Sequence, residues 1–192
     1  MLIKDIFEDI FTGFNINNSL TNDKYIKDIY TLQKDSIQYT NIIENRLIKK
    51  RFSTDIKKKY YMNERDIIIF IKKPYRVGTY RFNKKLDVII PNNFIILRGI
   101  NRELYSYIFV TNYLEKIGIE KYVQEHGITG NLSIEDIKMI ELPKITKSEQ
   151  MKISKLINSI NERSEIYSTI LNNDDKIIKY AINKVIGVSD DK

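Results

Sequence analysis

Cysteine is absent from this sequence, histidine occurs once, and proline only three times in 192 residues. Without cysteine, the chain can form no disulfide, no thiolate metal site and no cysteine nucleophile, and a reducing compartment suits it. One histidine, His126, cannot build a histidine-based triad or a multi-histidine metal site. Because Gly127 follows it, we expect His126 to end a helix or lie in a loop.

Long apolar runs are lacking as well. No segment reaches the ~20 apolar residues that a membrane helix needs, and Asp5, Glu8 and Asp9 interrupt any apolar stretch of a signal peptide. We therefore expect a cytoplasmic protein without a membrane partner. Hydrophobic residues make up 42% of the chain and charged residues 30%, which suffices for one core plus an appendage.

Signatures of catalysis are also missing. The sequence contains neither a phosphate-binding loop of the glycine-rich lysine type nor a GxGxxG fingerprint. The carboxylates that could hold a nuclease metal are isolated among lysines: Asp55, Glu64, Asp66 and Asp87. We expect Asp66 to open a strand or to pair with Arg65. The sequence thus predicts no catalytic residue, no metal site and no cofactor bound by this chain.

Positive charge is present and unevenly distributed. The net charge is +7, yet residues 46–85 hold 14 lysines or arginines against three acids, which gives this segment +11 and the rest of the chain −4. A polarised protein of this kind suits a polyanion, because each neutralised phosphate releases condensed counterions. A solvated lysine-rich face is the alternative reading of the same charges.

Apolar periodicity predicts a mixed fold. The β-branched run at residues 66–71 predicts a strand buried on both faces. Polar turns separate three further extended segments, at residues 78–82, 86–90 and 94–98. We therefore expect a mixed α/β recognition domain with a small twisted sheet over residues 1–145, and an α+β class for the whole chain.

Helical spacing of apolar residues predicts three helices within that domain. The first covers residues 2–14, the second covers residues 103–117 and ends at Gly118, and the third covers residues 119–126. A flexible loop, residues 127–131, follows the third helix.

A long helix is predicted over residues 146–187, before a tail at residues 188–192. Thr146 and Glu149 have the spacing of a capping box. Apolar residues then recur as in a coiled coil, and these are the expected dimerisation residues: Ile153, Ile157, Ile160, Tyr167, Ile170, Leu171 and Ile178. The stripe predicts a partner helix, unless residues 172–175 bend the segment into an antiparallel hairpin.

Candidate nucleic-acid contacts combine charge, amide groups and aromatic rings. Phosphate contacts are expected from seven lysines: Lys57, Lys58, Lys59, Lys72, Lys73, Lys84 and Lys85. Base-edge contacts are expected from Arg76, Arg81, Asn83 and Asn131, and Tyr75 and Thr129 complete the set. Plain solvation of each side chain is the alternative.

Four stretches of the chain carry a family likeness. They are I-K-D-I-F to T-G at residues 3–13, Y-M-N-E-R-D-I-I-I at 61–69 with R-V-G at 76–78, G-I-T-G-N-L-S at 127–133, and I-E-L-P at 140–143 with E-Q-M-K-I at 149–153. In these the chain resembles the target-recognition domain and spacer helix of type I restriction-modification specificity subunits. It departs from the family at Arg65, where glycine is usual, and at Glu141, where proline is frequent.

This resemblance implies a half-length specificity subunit, with one recognition domain and one helix where the family has two of each. It implies a homodimer that pairs two C-terminal helices as an antiparallel coiled coil and reads a split palindrome in double-stranded DNA. It also implies a partner DNA methyltransferase subunit, which would hold S-adenosylmethionine.

Two other functions fit the same sequence. A stand-alone DNA-binding protein, such as a regulator or a mobile-element protein, would use the same fold without a methyltransferase. A decoy would displace a genuine specificity subunit through its helix and bind DNA only weakly.

Overall fold

A computed structural model describes residues 1–16, 27–52, 56–80 and 86–186. The chain divides into two compact units, one formed by Met1–Met151 and a second that starts at Lys152. The first contains the strands and short helices, and the second is part of one long helix. The α+β class predicted from the sequence is confirmed.

The described residues form two sheets. Their strands are β1 (Phe7–Thr12), β2 (Lys27–Thr31), β3 (Ile37–Gln38), β4 (Asn41–Ile42), β5 (Ile48–Phe52), β6 (Ile67–Phe70), β7 (Arg76–Thr79), β8 (Val88–Ile89) and β9 (Phe94–Ile100). Six of them pair in the order β1-β9-β6-β7-β4-β3, and three in the order β5-β2-β8. The β4–β7 and β2–β8 pairs are parallel, and the others are antiparallel.

The helices follow the last strand. They are α1 (Tyr107–Tyr113), a π-helical turn (Leu114–Gly118), α2 (Ile119–Glu125), α3 (Ile134–Met139) and α4 (Lys147–Ile186). Single 3₁₀ turns occur at Ile3–Asp5, Lys34–Ser36, Glu44–Arg46 and Lys58–Tyr60. Among the helices of the described ranges, none is both long and apolar enough to cross a membrane.

Strand β6 lies at the centre of the core. Its residues Ile67 and Ile69 pack with α1, α2 and α3, whereas Ile68 and Phe70 pack on the opposite side with Phe94 and other apolar residues. Because successive side chains of a strand point to opposite faces, a continuous apolar run is what a doubly covered strand requires. The prediction of burial on both faces is confirmed.

The helix predicted over residues 2–14 is wrong. This stretch forms one 3₁₀ turn and then β1, which pairs antiparallel with β9. Ile10 packs with the cluster on the helical side of the sheet, and Phe11 packs with the cluster on the other side. Apolar residues therefore stand next to each other along this strand, and their spacing imitates that of an amphipathic helix.

Gly118 does not end a helix, contrary to the sequence prediction. Residues 107–125 stay helical, with Gly118 in the π-helical turn between α1 and α2. A Cβ atom at this position would lie 2.7 Å from Cε1 of Tyr113. The glycine thus permits close packing of the tyrosine ring, which a sequence pattern cannot distinguish from a helix end.

The capping box at the start of α4 is confirmed. The Glu149 amide donates to the Thr146 hydroxyl (3.2 Å), and the Thr146 amide donates to the Glu149 carboxylate (2.8 Å). The Thr146 hydroxyl also donates to the Glu149 carboxylate (2.8 Å), and this bond, together with the one from the Thr146 amide, lowers the pKa of Glu149 below its usual value. The helix continues through residues 172–175, so the hairpin alternative is wrong. With 40 residues it is about 60 Å long.

Gln150, in the first turn of α4, is buried and clamps the start of α1. Its Nε2 donates to the Leu104 carbonyl (3.0 Å), and its Oε1 accepts from the Ser106 amide (2.9 Å). Both ends of the amide group are therefore used, as a buried polar side chain requires.

Gly13 packs directly against the backbone of residues 90 and 91. A Cβ atom at this position would lie 2.1 Å from the Pro91 carbonyl oxygen and 2.3 Å from that of Ile90. Backbone atoms cannot move aside cheaply, so we expect Gly13→Ala to lower the free energy of unfolding by about 1–3 kcal/mol. Gly130→Ala is the control, since nothing lies within 4 Å of its Cβ position. Urea unfolding followed by circular dichroism measures both, and equal stability of the two variants would contradict the packing described.

Candidate nucleic-acid interface

Two distant chain segments meet at the β6–β7 turn. The Leu132 amide donates to the Ile71 carbonyl (3.0 Å), and the Tyr75 hydroxyl donates to the Gly130 carbonyl (3.2 Å). These bonds join the turn to the loop at residues 127–133. They bring together six of the predicted contact residues, which we name the turn cluster: Lys72, Lys73, Tyr75, Arg76, Thr129 and Asn131.

The turn cluster is accessible. All of its side chains are exposed except that of Tyr75, which is partly buried. Burial and the nearby charge of Asp136 raise the pKa of Tyr75, so its hydroxyl stays a neutral donor. The cluster presents two ammonium groups, one guanidinium group and short polar side chains on one surface.

The guanidinium group of Arg76 is held by an acidic side chain. Its Nη1 lies 3.3 Å from Oε1 of Glu115, a nearly buried side chain in the π-helical turn. The second carboxylate oxygen of Glu115 accepts from the Val77 amide. Glu115 therefore fixes both the side chain of Arg76 and the backbone beside it. The Arg76 side chain is still half exposed, so part of its guanidinium group faces solvent.

A cleft of about 630 Å³ lies between the β6–β7 turn on one side and the π-helical turn and α2 on the other. Its lining contains Lys73, Arg76 and Lys116, but also Glu115 and Glu120. The turn cluster shares Lys73, Tyr75 and Arg76 with this lining. Because Glu115 and Glu120 oppose these cations, the cleft is a poor anion site.

Arg98 holds the backbone of the segment that carries the other described lysines of the candidate set. This residue forms a two-pronged ion pair with the buried Asp66, with Nε 2.9 Å from Oδ1 and Nη2 2.6 Å from Oδ2. The same guanidinium group donates to the carbonyls of Lys59 (3.0 Å) and Tyr61 (2.8 Å). It thereby fixes the segment that carries Lys57, Lys58 and Lys59, all of which are exposed.

The prediction that Asp66 pairs with Arg65 is wrong. Arg65 has a left-handed backbone (φ 69°), and its side chain lies 3.6 Å from Glu64 instead. That conformation accounts for the glycine usual at this place in the family that the sequence resembles. Burial raises the pKa of Asp66, and the hydrogen bonds from Arg98 and the Asn63 amide oppose the rise.

The two groups of lysines lie at opposite ends of β6 and β7. Lys72 and Lys73 follow the end of β6, whereas Arg98 and Asp66 are level with its beginning. Four residues of strand separate the ends by about 13 Å. Arg81, Asn83, Lys84 and Lys85 lie outside the described residues, as does Asp55. Within the described ranges, no three acidic or histidine side chains converge as a metal site would need.

His126 caps helix α2, as predicted. Its ring stacks on Tyr122 with 4.0 Å between centroids, and Nδ1 lies 2.9 Å from the Tyr122 carbonyl oxygen. The ring is thus part of the helix end.

Sequence reasoning missed Arg98, Glu115 and Gln150. A signal existed for Arg98, because it ends the extended segment predicted at residues 94–98, and a charged residue in an apolar strand needs a partner when it is buried. None of the three faces open solvent as a ligand contact would. They position the surfaces that do.

Helix α4 presents the predicted dimerisation residues. Ile157 is partly buried, and the other six are exposed: Ile153, Ile160, Tyr167, Ile170, Leu171 and Ile178. A contiguous exposed apolar surface of this kind is uncommon on monomeric soluble proteins.

The fold is that of the specificity (S) subunits of type I restriction-modification systems. The chain is similar to the S subunit from M. genitalium, with 16% identity and a TM-score of 0.59 over 99% of this chain and 46% of the other. It is similar to HsdS from Thermoanaerobacter tengcongensis, with 14% identity and a TM-score of 0.58 over 96% of this chain and 47% of the other.

A third similar chain comes from work on complex assembly and conformational transition of the type I restriction-modification system, with 13% identity, a TM-score of 0.58, and coverage of 97% of this chain and 47% of the other. The chain therefore spans about half the length of each of these proteins. No family model matches it, and no curated protein does.

Arg98→Ala tests the central ion pair. It leaves the Asp66 carboxylate buried without its partner, so we expect a loss of about 3–5 kcal/mol in the free energy of unfolding at pH 7. The double variant Asp66→Asn/Arg98→Met removes both charges and should lose less. Urea unfolding of the three proteins measures this.

The same variant has a pH signature. Without Arg98 the pKa of Asp66 rises further, so the folded state binds a proton more tightly than the unfolded state. The stability of the variant then falls as pH rises from the pKa of Asp66 in the unfolded chain to its higher pKa in the folded chain. We expect the deficit of Arg98→Ala relative to the native chain to narrow from pH 7 to pH 5. A deficit that does not change with pH would show that Asp66 is not the group left unpaired.

Proposed function

We propose that this chain is a non-catalytic DNA specificity subunit that reads duplex DNA for a partner methyltransferase. The observation that carries the proposal is the turn cluster, in which residues 72–76 and 129–131 form one exposed basic surface. The S-subunit fold supports it. Arginine and asparagine read base edges with paired hydrogen bonds, and lysine binds phosphate as a point charge.

The proposed roles divide by chemistry. Lys57, Lys58 and Lys59 bind phosphates at one end of β6 and β7, and Lys72 and Lys73 do so at the other. Arg76 and Asn131 contact base edges, together with Tyr75 and Thr129.

The proposed arrangement has a recognition domain over residues 1–145, a helix over residues 146–187 and a tail over residues 188–192. S-adenosylmethionine would bind the methyltransferase partner and not this chain. A cytoplasmic location, alongside the DNA, belongs to the same proposal.

The proposed homodimer forms through α4. Ten positions on one side of the helix follow the alternating spacing of three and four residues typical of a coiled coil: Ile153, Ile157, Ile160, Ser164, Tyr167, Leu171, Asp174, Ile178, Ala181 and Val185. Only Ser164 and Asp174 are polar among them, and they are the fourth position from each end of this stripe.

Ser164 and Asp174 stand at equal distances from the two ends of the stripe, and this arrangement favours antiparallel pairing of two copies. In the antiparallel register with full overlap, the facing pairs are Ile153 with Val185, Ile157 with Ala181, Ile160 with Ile178, Ser164 with Asp174, and Tyr167 with Leu171. The Ser164 hydroxyl, which donates to the Ile160 carbonyl in the single chain, could then donate to Asp174 of the second copy. Parallel pairing would instead set two Asp174 carboxylates against each other, which is destabilising.

Paired lysine substitutions test the DNA-binding role. We expect both Lys57→Ala/Lys58→Ala and Lys72→Ala/Lys73→Ala to weaken duplex binding, with the slope of log affinity against log salt smaller by about 2. Fluorescence anisotropy over a salt series measures the slope. Lys59 is left in place because its backbone carbonyl accepts from Arg98.

Lys152→Ala/Lys155→Ala is the matched control, since it removes two exposed charges from α4. It should keep the native slope. Equal losses in all three variants would mean that net charge alone drives binding, and no binding by the native chain would reject the proposal.

Introduced cysteines test the register of the dimer. The native chain has no cysteine, so any disulfide must come from the introduced residues. In the antiparallel register Ile160 faces Ile178 of the second copy. We therefore expect Ile160→Cys/Ile178→Cys to form a disulfide-linked dimer under mild oxidation, and Ile160→Cys alone to remain unlinked. Non-reducing electrophoresis separates the products.

Each other outcome has a definite meaning. A dimer from Ile160→Cys alone would indicate parallel helices. No linked species from either variant, together with a monomeric mass by light scattering, would reject the homodimer.

A further inference from the structure

The tip of the β3–β4 hairpin has an unusual backbone. Two residues, Tyr39 and Thr40, connect the strands, and both are left-handed, with φ of 49° and 61°. Two-residue hairpins with this geometry normally use Asn-Gly or a similar pair, because a side chain makes the left-handed region costly. Threonine is branched at Cβ and suits it least.

The two tip residues differ in their surroundings. Thr40 is 1% exposed, its carbonyl accepts from the Thr79 amide (2.9 Å), and its hydroxyl donates to the Tyr39 carbonyl (2.6 Å). Thr40 thus has packing and hydrogen bonds that hold it in place. Tyr39 is 64% exposed, so its ring adds little to the core that would repay the strained backbone.

A third left-handed residue lies on the other side of Thr79. The Thr79 hydroxyl donates to the Asp66 carbonyl (3.0 Å), directly after Arg65 (φ 69°). In the part of the chain that the structure describes, these three are the non-glycine residues with positive φ. All of them are linked through one threonine at the end of β7, and strain of this kind concentrates at functional sites.

A chain of hydrogen bonds leads from this point to exposed lysines. Through Asp66 and Arg98 it reaches the segment of Lys57, Lys58 and Lys59. The Arg65 side chain is partly exposed, lies 3.6 Å from Glu64 and packs over the Tyr107 ring, with 6.0 Å to its centroid. Arg98 and Asp66 neutralise each other, and Asp9 lies opposite Arg98 on β1. The exposed positive charge of the linked segment is that of Lys57, Lys58 and Lys59.

We infer that the Tyr39–Thr40 hairpin tip is a DNA-reading element, with the Tyr39 ring contacting a base or sugar beside phosphates bound by Lys57 and Lys58. The inference rests on the proposed DNA-binding function and adds a contact that the turn cluster does not contain. Because β4 pairs with β7 in the six-stranded sheet, the part of the hairpin available for this contact is its two-residue tip. The left-handed pair fixes the direction in which the ring points.

An uncharged ring gives a distinctive signature. Lysine contacts release counterions and change the salt dependence of binding, whereas a ring contact does not. Tyr39→Asn removes the ring and places a residue that tolerates the left-handed region. We expect this variant to be more stable, with Tm higher by about 2–4 °C, and yet weaker in binding. A stability gain together with a binding loss identifies a side chain kept for contact rather than for folding.

The test uses two duplexes, the one best retained by the native chain from a randomised library and a scrambled version of it. We expect Tyr39→Asn to bind the first about tenfold more weakly, with an unchanged salt slope and unchanged affinity for the scrambled duplex. Tyr39→Phe is the control and should keep the native affinity, because it retains the ring and loses only the hydroxyl.

The outcomes separate the inference from the proposed function. If the native chain prefers its duplex and Tyr39→Asn keeps that preference, the tip is not a reading element while DNA binding stands. A smaller salt slope in Tyr39→Asn would also overturn it. Unchanged DNA binding with weaker self-association by light scattering would indicate a protein contact instead. If the native chain retains no DNA, both the inference and the proposed function fail.

Discussion

Arg98 and Asp66 form the interaction on which most of the described surface depends. A buried carboxylate is costly unless it is paired and hydrogen-bonded, and the two-pronged contact with Arg98, together with the Asn63 amide, meets that requirement. The remaining donors of Arg98 hold the backbone of the lysine segment, and the Asp66 carbonyl accepts from Thr79. One ion pair therefore connects β9, β6, β7 and the basic 3₁₀ turn. Loss of the Arg98 guanidinium group would remove the hydrogen bonds to the carbonyls of Lys59 and Tyr61 as well as the partner of Asp66.

The proposed binding surface consists of two parts with different support. At one end of β7, Glu115 and the loop at residues 127–133 hold the turn cluster. At the other end, Thr79 joins the hairpin tip to the segment fixed by Arg98. In both places the residues that face solvent are held by others that do not. This division suits a protein that must vary its contacts while it keeps its fold, because substitutions at exposed positions away from packing and capping features usually change stability little.

Much of the fold follows from local patterns in the sequence. The run at residues 66–71 predicts a doubly buried strand, and Thr146 with Glu149 predicts the helix start, because both signals act over a few residues. The first strand is not recognised from the sequence because its adjacent apolar residues Ile10 and Phe11 pack on opposite faces of an edge strand. Which faces of that strand are covered depends on tertiary structure. The sequence predicts that Asp66 opens a strand or pairs with Arg65; it stands directly before β6, but its charged partner Arg98 is 32 residues away. The candidate site shows the same limit: the charge pattern predicts the lysines, but their separation to the two ends of β6 and β7 depends on the sheet pairing.

Selection from a randomised duplex library, with sequencing of the retained fraction at near-physiological salt, tests the central claim most directly. A two-fold dimer of sequence-reading domains predicts one motif that occurs twice in inverted orientation at a fixed spacing. Retention of DNA without any enriched motif would contradict sequence reading and leave only phosphate binding. A single motif without an inverted copy would contradict the dimer.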